Sequence, residues 1–494
     1  MANRATVAWM SQSTSAGPVL AASRVASLVG HFDREPAYAG LAEALRLLVG
    51  EGRIPEGARL PSERDLTLAL GVSRTTVARA YGRLRETGWA EAHQGSGTYT
   101  RVPGGRARVQ DRALMPAPDR GAIDLGCAAH AAPPGLTAAF AAAAEELPAY
   151  LGGHGYFPAG LPRLQAVVAA AYDARGLTTD PDQVMITPGA LSAAAVVAQA
   201  LVSPGDRAAV EDPVYPNAPE ALRRAGGRLV GLPVDPAGWD LDAVGAVLGR
   251  ARPGTAYLVP DFQNPTGHLL DDEGRERYAD HLRRAGTVGI VDEAHQPLRL
   301  DEGDPPLPFA AHAGDVVTLG SASKSFWGGL RLGWIRAPRR LLGRLTRSRV
   351  ALDLGAPVLE QLALVHLLEQ GPVLPGHLDR LRTQRDTLAG ALTERLPGWA
   401  FHRPGGGLSL WCRIPEGSAS DLAEEAARRG VIVTPGPVFA VEGGLDRYVR
   451  IPWTRPAAEL EEAVDLLAAA WDAVRSGRPG RVGSPPRHER VVVA

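Results

Sequence analysis

A single lysine, Lys324, occurs in the chain, within "SASKSFWGGLRLGW" (residues 321–334); every other member of its 53 lysines and arginines is arginine. Arginine matches lysine in charge and surpasses it in bidentate pairing, but its guanidinium stays protonated. A lysine amine loses its proton more readily when buried, and the free amine attacks a carbonyl carbon. Drift in composition toward Ala, Arg, Gly and Pro accounts for the missing lysines, and a chance survivor on the surface is the bland reading of the one that remains. The neighbours argue against it. Ser321, Ser323 and Arg331 put two hydroxyls and a guanidinium beside the amine, a set that suits a phosphorylated aldehyde.

Other reactive or recognising groups recur at strand ends. "DFQNPTG" carries Asn264 after the strand "TAYLVP". "TVGIVDEAH" leaves Asp292 at the C-terminal end of an apolar strand, where α/β sheets place functional groups, and a buried carboxylate there can keep a pyridinium nitrogen protonated. "VEDPVYP" offers Tyr215, whose ring can stack on a planar ligand. "ITPGALSAAAVV" opens a helix with Gly189, Ala190 and Leu191, whose free N–H groups form a phosphate site. Each also has an ordinary reading, since "NPTG" is a common turn and an acid after a strand can cap the next helix.

The elements that must position these groups are legible from residue 121 to about 475. Short apolar strands, "TAYLVP", "TVGIVD" and "DVVTLG" the plainest, alternate with amphipathic helices, which predicts an α/β domain with a mostly parallel sheet. Residues 36–102 read differently. Leu41, Leu45 and Leu48 lie on one face of a helix stopped near Gly52. Ser62 and Asp65 form a capping pair ahead of Leu66 and Leu70. Ser73 caps a third helix that stops at Gly88, and "WAEAHQGSGTYTRV" reads as a hairpin. Three helices and a hairpin make a winged helix-turn-helix. Its third helix opens with Ser73, Arg74, Thr75 and Thr76, where a recognition helix meets double-stranded DNA. Arginine can fork onto guanine, and hydroxyls can hold phosphates. Arg64 lies on the preceding helix, and Gln94 and Gly95 sit at the wing tip.

The rest of the chain sets bounds. Residues 1–30 show no periodicity and read as a flexible segment. Residues 103–120 are rich in Pro, Gly and Arg and read as a linker, able to reach about 55–60 Å at ~3.3 Å per residue. Residues 476–494 read as a disordered tail. A formal net charge of −1 neither demands nor excludes nucleic acid, because a small basic face can hide in it. Cys127 and Cys412 lack metal spacing and suit a reducing compartment. The N-terminus has no apolar signal region, and the longest apolar runs are too short to cross a bilayer. A cytoplasmic protein away from membranes is the expectation.

Two resemblances follow. "LPSERDL", "GVSRTTV" and "GSGTY" resemble the GntR-type winged helix, with one departure: Ala78 stands where a basic residue is frequent, so a contact shifts toward Arg79. The C-terminal pieces, in order, resemble the fold type I enzymes that use pyridoxal 5′-phosphate (PLP), with the aspartate aminotransferase fold and a small C-terminal α+β subdomain. That resemblance implies Lys324 as the internal aldimine and Asp292 on the pyridine nitrogen. It implies Asn264 on the 3′-oxygen, Tyr215 stacked on the ring, and Gly189, Ala190, Ser321, Ser323 and Arg331 around the phosphate. "DRYVRIPW" resembles the strand whose arginine, here Arg450, clamps a substrate carboxylate. His295 stands where transaminases of this fold have tyrosine, and a histidine could still donate a bond to the cofactor oxygen. "HGYFPAG" resembles the segment that sends a tyrosine, here Tyr156, to a neighbouring subunit's phosphate, which implies a homodimer. The fusion as a whole resembles the MocR family of transcriptional regulators, which implies sensing of PLP or an amino compound; an aminotransferase with an accessory DNA-binding domain is the alternative.

Overall fold

The computed structural model describes residues 20–50, 54, 57–93, 97–101, 122–441 and 443–476, and the chain divides after residue 111 into two compact units. The 103–120 linker lies outside the described residues, as do Gln94, Gly95 and the tail beyond residue 476.

The first unit contains α1 (Ala22–Val29), α2 (Ala37–Gly50), α3 (Glu63–Leu70), α4 (Arg74–Glu86) and an antiparallel hairpin of β1 (Ala90–His93) and β2 (Gly97–Thr100). Leu41, Leu45 and Leu48 of α2 bury against Leu66 of α3 and Val77, Tyr81 and Leu84 of α4. The caps sit where sequence placed them. Ser62 Oγ accepts from the Asp65 N–H at 3.1 Å, and Ser73 Oγ accepts from the Thr76 N–H at 3.0 Å. Gly71 closes α3 in the left-handed region at φ 63°. The expectation of a flexible segment through residue 30 fails for residues 22–29. Helix α1 packs Val25 and Val29 into the same core. With two anchors set among Ala and Ser, its apolar period is too short to detect in sequence.

The second unit holds an eight-stranded sheet. Its strands are β4 (Val184–Thr187), β5 (Arg207–Asp212), β6 (Arg228–Asp235), β7 (Gly238–Trp239), β8 (Thr255–Leu258), β9 (Val288–Asp292), β10 (Val316–Ser321) and β11 (Gly333–Arg336), in the order β4-β11-β10-β9-β8-β5-β6-β7. The run β10-β9-β8-β5-β6 is parallel, while β11 is antiparallel to β10 and β4, and β7 to β6. The central strands β8 and β10 are buried throughout and β9 from Gly289 onward, as parallel strands covered on both faces should be. Gly333 lets β11 pass between the lysine loop and the helix after β4: a β-carbon there would lie 2.7 Å from both Ala190 N and Gly320 O.

A smaller antiparallel sheet of β12 (Ala400–Phe401), β13 (Ser409–Arg413), β16 (Tyr448–Pro452) and β15 (Thr434–Pro435), in that order, forms the C-terminal subdomain. Beside it, β3 (Ile123–Asp124) and β14 (Val431–Ile432) pair in parallel as a separate two-stranded sheet. Helices α6 (His377–Arg395) and α7 (Ala457–Arg475) pack over this sheet through Leu381, Leu388, Leu460 and Leu467; α5 (Ala190–Leu201) covers the large sheet. Among the described residues no helix is long and apolar enough to cross a membrane.

Candidate functional site

Strands β4, β5, β8, β9 and β10 share one direction, and the predicted site residues lie at their C-terminal ends. Gly189 follows β4, Tyr215 follows β5, Asn264 follows β8, Asp292 closes β9 and Lys324 follows β10. Lys324 Nζ donates to Ala128 O at 2.9 Å. Burial lowers the pKa of this amine; Arg450 pushes the same way, while Cys127 and Asp292 oppose it. Asp292 is buried. Its Oδ2 accepts from the Tyr257 hydroxyl at 2.5 Å and its Oδ1 from the Ala294 N–H at 2.8 Å. Burial raises this carboxyl above the usual range, against the pull of both donors and Lys324.

Arg450, on β16, is fully buried. Its Nη2 donates to Gly126 O at 2.5 Å and Nη1 to Asn264 Oδ1 at 3.4 Å; its guanidinium lies 5.0 Å from the centre of the Phe439 ring, and Nε has no partner among the described residues. Burial pulls its pKa down to about 10, still a cation at neutral pH. A buried guanidinium resting on neutral carbonyl oxygens is poised to exchange them for a carboxylate.

At the N-terminus of α5, Gly189 adopts φ 93°, and a β-carbon there would come within 3.1 Å of Arg331 Nη2. Arg331, itself at φ 50°, donates weakly to Pro188 O at 3.5 Å and is exposed. Ser321 Oγ accepts from the Ser323 N–H at 3.2 Å. Leu191 has its side chain 42% exposed, so its contribution is limited to the backbone. A guanidinium, a helix start and a folded serine pair converge here.

His295 is buried and its Nδ1 lies 3.1 Å from Phe262 O. A carbonyl only accepts, so the ring proton sits on Nδ1. Burial and the nearby Lys324 charge push His295 down to about 4, so the neutral ring presents an acceptor at Nε2. In this arrangement the Nδ1 donor of His295 faces Phe262 O. Tyr215 is half-buried, and its hydroxyl accepts from Asn217 at 2.8 Å. Tyr156 is 58% exposed on this unit.

On α4, Arg74 and Thr75 are exposed at the first turn; Arg74 Nε lies 3.5 Å from Glu63. Arg64 is exposed on α3. Arg79 is exposed too, but its guanidinium stacks 3.7 Å from the Tyr38 ring centre.

The GntR family, bacterial regulatory proteins, matches residues 37–100, and the family of class I and II aminotransferases matches residues 132–467. The chain belongs to the class I and II aminotransferase family. A GntR-family domain precedes the aminotransferase domain, and the relatives the chain is similar to along most of its length are helix-turn-helix regulators with this fusion. The probable rhizopine catabolism regulatory protein MocR of Rhizobium meliloti is 29% identical over 81% of this chain and 86% of its own length. The 2-aminoadipate transaminase of Thermus thermophilus is 33% identical over 61% of this chain and 78% of its own. The crystal structure of the alpha-aminoadipate aminotransferase LysN, also from Thermus thermophilus, superposes with a TM-score of 0.65 at 30% identity, covering 72% of this chain and 94% of LysN.

In this chain the fold adds residues that motif reading missed. The segment Gly126–His130 gathers both cationic side chains, the buried Arg450 through Gly126 O and the half-buried Lys324 through Ala128 O. Thr434 and Thr454 hydroxyls hold its carbonyls at 3.3 and 3.4 Å. Nothing in "LGCAAH" signals this, because its contribution is main chain. Tyr257 could have been found, since a tyrosine inside an otherwise apolar strand needs a partner for its hydroxyl.

Proposed function

We propose that the aminotransferase domain binds PLP covalently through Lys324 and serves as the receptor for an amino compound, whose binding sets the DNA affinity of the GntR-family domain. The observation that carries this reading is the chain's sole lysine, desolvated at a strand end beside a buried carboxylate at the next strand end. The residues fit such a cofactor. Asp292 meets only neutral hydrogen-bond donors, and a protonated ring nitrogen would give it a charged one. Gly189 leaves open backbone beside Arg331. Arg450 Nε is buried without a partner among the described residues. The LysN structure is a complex with N-(5′-phosphopyridoxyl)-L-leucine, which joins the two chemical groups required.

In this reading Lys324 anchors the cofactor, Asp292 meets its ring nitrogen, Asn264 its 3′-oxygen and Tyr215 its ring face. Ala190 and Leu191 through their N–H groups, with Ser321, Ser323 and Arg331, hold the phosphate; the Gly189 N–H is committed to Thr187 O at 2.7 Å, so Gly189 serves by leaving room beside Arg331. Bound there, the cofactor supplies an aldehyde that can exchange one primary amine for another. The chain's own groups then divide the work. Burial keeps a fraction of Lys324 uncharged and nucleophilic. Asp292 holds a proton on the atom it faces, and Arg450 recognises an incoming carboxylate by its planar fork.

A homodimer is part of the reading. Leu151, Tyr156, Leu352 and Leu354 are exposed, and Gly355 packs against the Phe157 backbone, so the 352–355 turn and Tyr156 belong to one apolar surface. A second copy would cover it and bring Tyr156 to the partner's phosphate. A cytoplasmic location fits a DNA-binding regulator.

The test is the absorption spectrum of the purified protein with PLP, before and after borohydride, with the reduced peptide mapped. A visible band and a label on Lys324 are expected; an unlabelled Lys324 overturns the reading. The alternative, a working transaminase, is favoured by the completeness of the Lys324, Asp292 and Arg450 set. Sustained turnover of amino acid with keto acid supports it, whereas a stable spectral shift with altered DNA binding supports the receptor.

A further inference from the structure

One buried carboxylate has no part in the site as described. Glu211, on β5, is 0% exposed, and Gln263, which it meets, is 1% exposed. Glu211 Oε1 accepts from the Trp239 indole N–H at 2.7 Å. Its Oε2 accepts from the Val259 N–H at 3.1 Å and from Gln263 Nε2 at 3.3 Å. Each of these partners donates, so the group they call for is a carboxylate, which only accepts. Burial raises its pKa to about 7 against the pull of the three donors, and the Asp292 charge adds to the rise. The donors come from β7, from the residue after β8 and from the loop beyond it, so one side chain gathers three stretches of chain.

Gln263 is the residue before Asn264. Besides Glu211, its Nε2 donates to Pro213 O at 2.7 Å. Its Oε1 accepts from the Thr266 N–H at 3.0 Å and the Thr266 hydroxyl at 2.8 Å. The reverse orientation of the amide would set its oxygen against Pro213 O and Glu211 Oε2, and its NH2 against the Thr266 N–H. The observed orientation is therefore the one the neighbours permit, and it uses both amide hydrogens. The main chain of the same loop closes on itself: the Gln263 N–H donates to His268 O at 2.8 Å, and the Gly267 N–H to Gln263 O at 2.6 Å. A closed turn is thus fastened by one side chain to Pro213, two residues before Tyr215.

Tyr215 follows β5 and Asn264 follows β8, neighbouring strands of the large sheet, so two separate loops must meet one small planar ligand. Groups in such a site have to be held to about 0.5 Å. The Asn264 side chain does not hold itself: it meets Arg450 Nη1 at 3.4 Å, a long contact that fixes an amide weakly. Its place must come from its own loop. We propose that Gln263, anchored by Glu211, is a positioning residue that fixes Asn264 against the segment carrying Tyr215 and so sets the affinity for PLP. The inference rests on the covalent-cofactor reading above. Glu211 suits the role because hydrogen bonds to an ionised acceptor are roughly twice as strong as neutral ones, and here they lie out of water. With the carboxylate in place, the Gln263 amide cannot turn, and the loop that presents Asn264 cannot drift from Pro213.

The test is a double-mutant cycle on the purified full chain, with the PLP dissociation constant read by titrating the visible band. Gln263→Leu keeps the bulk of the side chain and removes its four contacts, and Asn264→Ala removes the group it positions. Each is expected to weaken PLP binding by about tenfold, the worth of one good hydrogen bond. The double variant should be weakened by no more than about tenfold, because a displaced Asn264 has nothing further to lose. Losses that multiply to about a hundredfold would show that Gln263 acts on stability in general and would overturn the proposal. Wild-type affinity in either single variant overturns it as well. Glu211→Gln, which sets an amide NH2 among three donors, should behave as Gln263→Leu does, and unchanged affinity there removes Glu211 from the proposal. A wild type without a visible band ends the cofactor reading, whereas a normal band with multiplying losses ends this proposal alone. If Gln263→Leu does not fold, Thr266→Val, which deletes one donor to Gln263 Oε1 at nearly constant volume, enters the same cycle with about a threefold loss expected.

Discussion

The two units keep their functional cations in opposite ways. In α4 of the GntR-family domain, Arg74 stands with its side chain 77% exposed, 3.5 Å from a Glu63 carboxylate oxygen. In the aminotransferase domain, Lys324 and Arg450 have been drawn off solvent and rest on main-chain oxygens of Gly126 and Ala128. An exposed pair such as Arg74–Glu63 contributes about 0–1 kcal/mol, so the arginine can leave it for a phosphate at little cost. A buried cation has no water to fall back on and can only trade one partner for another. The first arrangement spreads affinity over many weak contacts. The second concentrates it, so single substitutions should act on the two units with different severity.

The largest effect should come from Lys324→Arg. The substitution keeps the charge and removes the nucleophile, since a guanidinium stays protonated. Borohydride labelling and the visible PLP band are expected to vanish altogether, with the DNA-binding unit still able to bind DNA. A retained label would place the covalent anchor elsewhere. Next comes Arg450→Met. Losing charge-assisted hydrogen bonds costs about 1.5–3 kcal/mol, or roughly 10- to 100-fold in affinity for an amino acid, read by spectral titration. An amine without a carboxylate should bind as before, which separates lost recognition from general damage.

On the other unit, Arg74→Ala should weaken DNA binding by about tenfold and lower the slope of log affinity against log salt by about one, as expected for a phosphate contact. If affinity falls with the salt slope unchanged, Arg74 reads a base edge instead. Ser73→Ala removes the cap on Thr76 N and should cost ~1 kcal/mol of stability, seen as a lower melting temperature of the first unit.

How legible each part was follows from whether its contribution is carried by side chains in a local frame. Ser62, Ser73, Leu41, Leu45 and Leu48 could be assigned because caps and helical faces are set within a few residues. The placement of Lys324, Asp292 and Asn264 was legible because Asp292 ends a recognisable strand and the other two follow one. The grip of Gly126 and Ala128 on the two cationic side chains escaped notice because peptide carbonyls look alike in every sequence. Glu211 and Gln263 escaped it because their meeting depends on residues 52 apart in the chain. The His295 tautomer escaped it because its cause is the orientation of the Phe262 carbonyl, a residue held at φ 49°.

The smallest effect tests whether burial, the property that separates the two units, sets the charge of His295. Its pKa is about 4 in the folded chain against the ordinary 6.5. Between those values the unfolded chain takes up a proton that the folded one refuses. The stabilisation due to the neutral ring is thus complete above pH 6.5 and is lost as the pH falls toward 4. In that window this single group steepens the decline by up to about 1.4 kcal/mol per pH unit. His295→Gln, which stays neutral throughout, should lower stability at pH 7 through imperfect packing yet flatten its dependence on pH between 6.5 and 4, measured by urea unfolding at several pH values. Equal slopes for wild type and His295→Gln would mean that water reaches the ring, and with it the neighbourhood of Lys324.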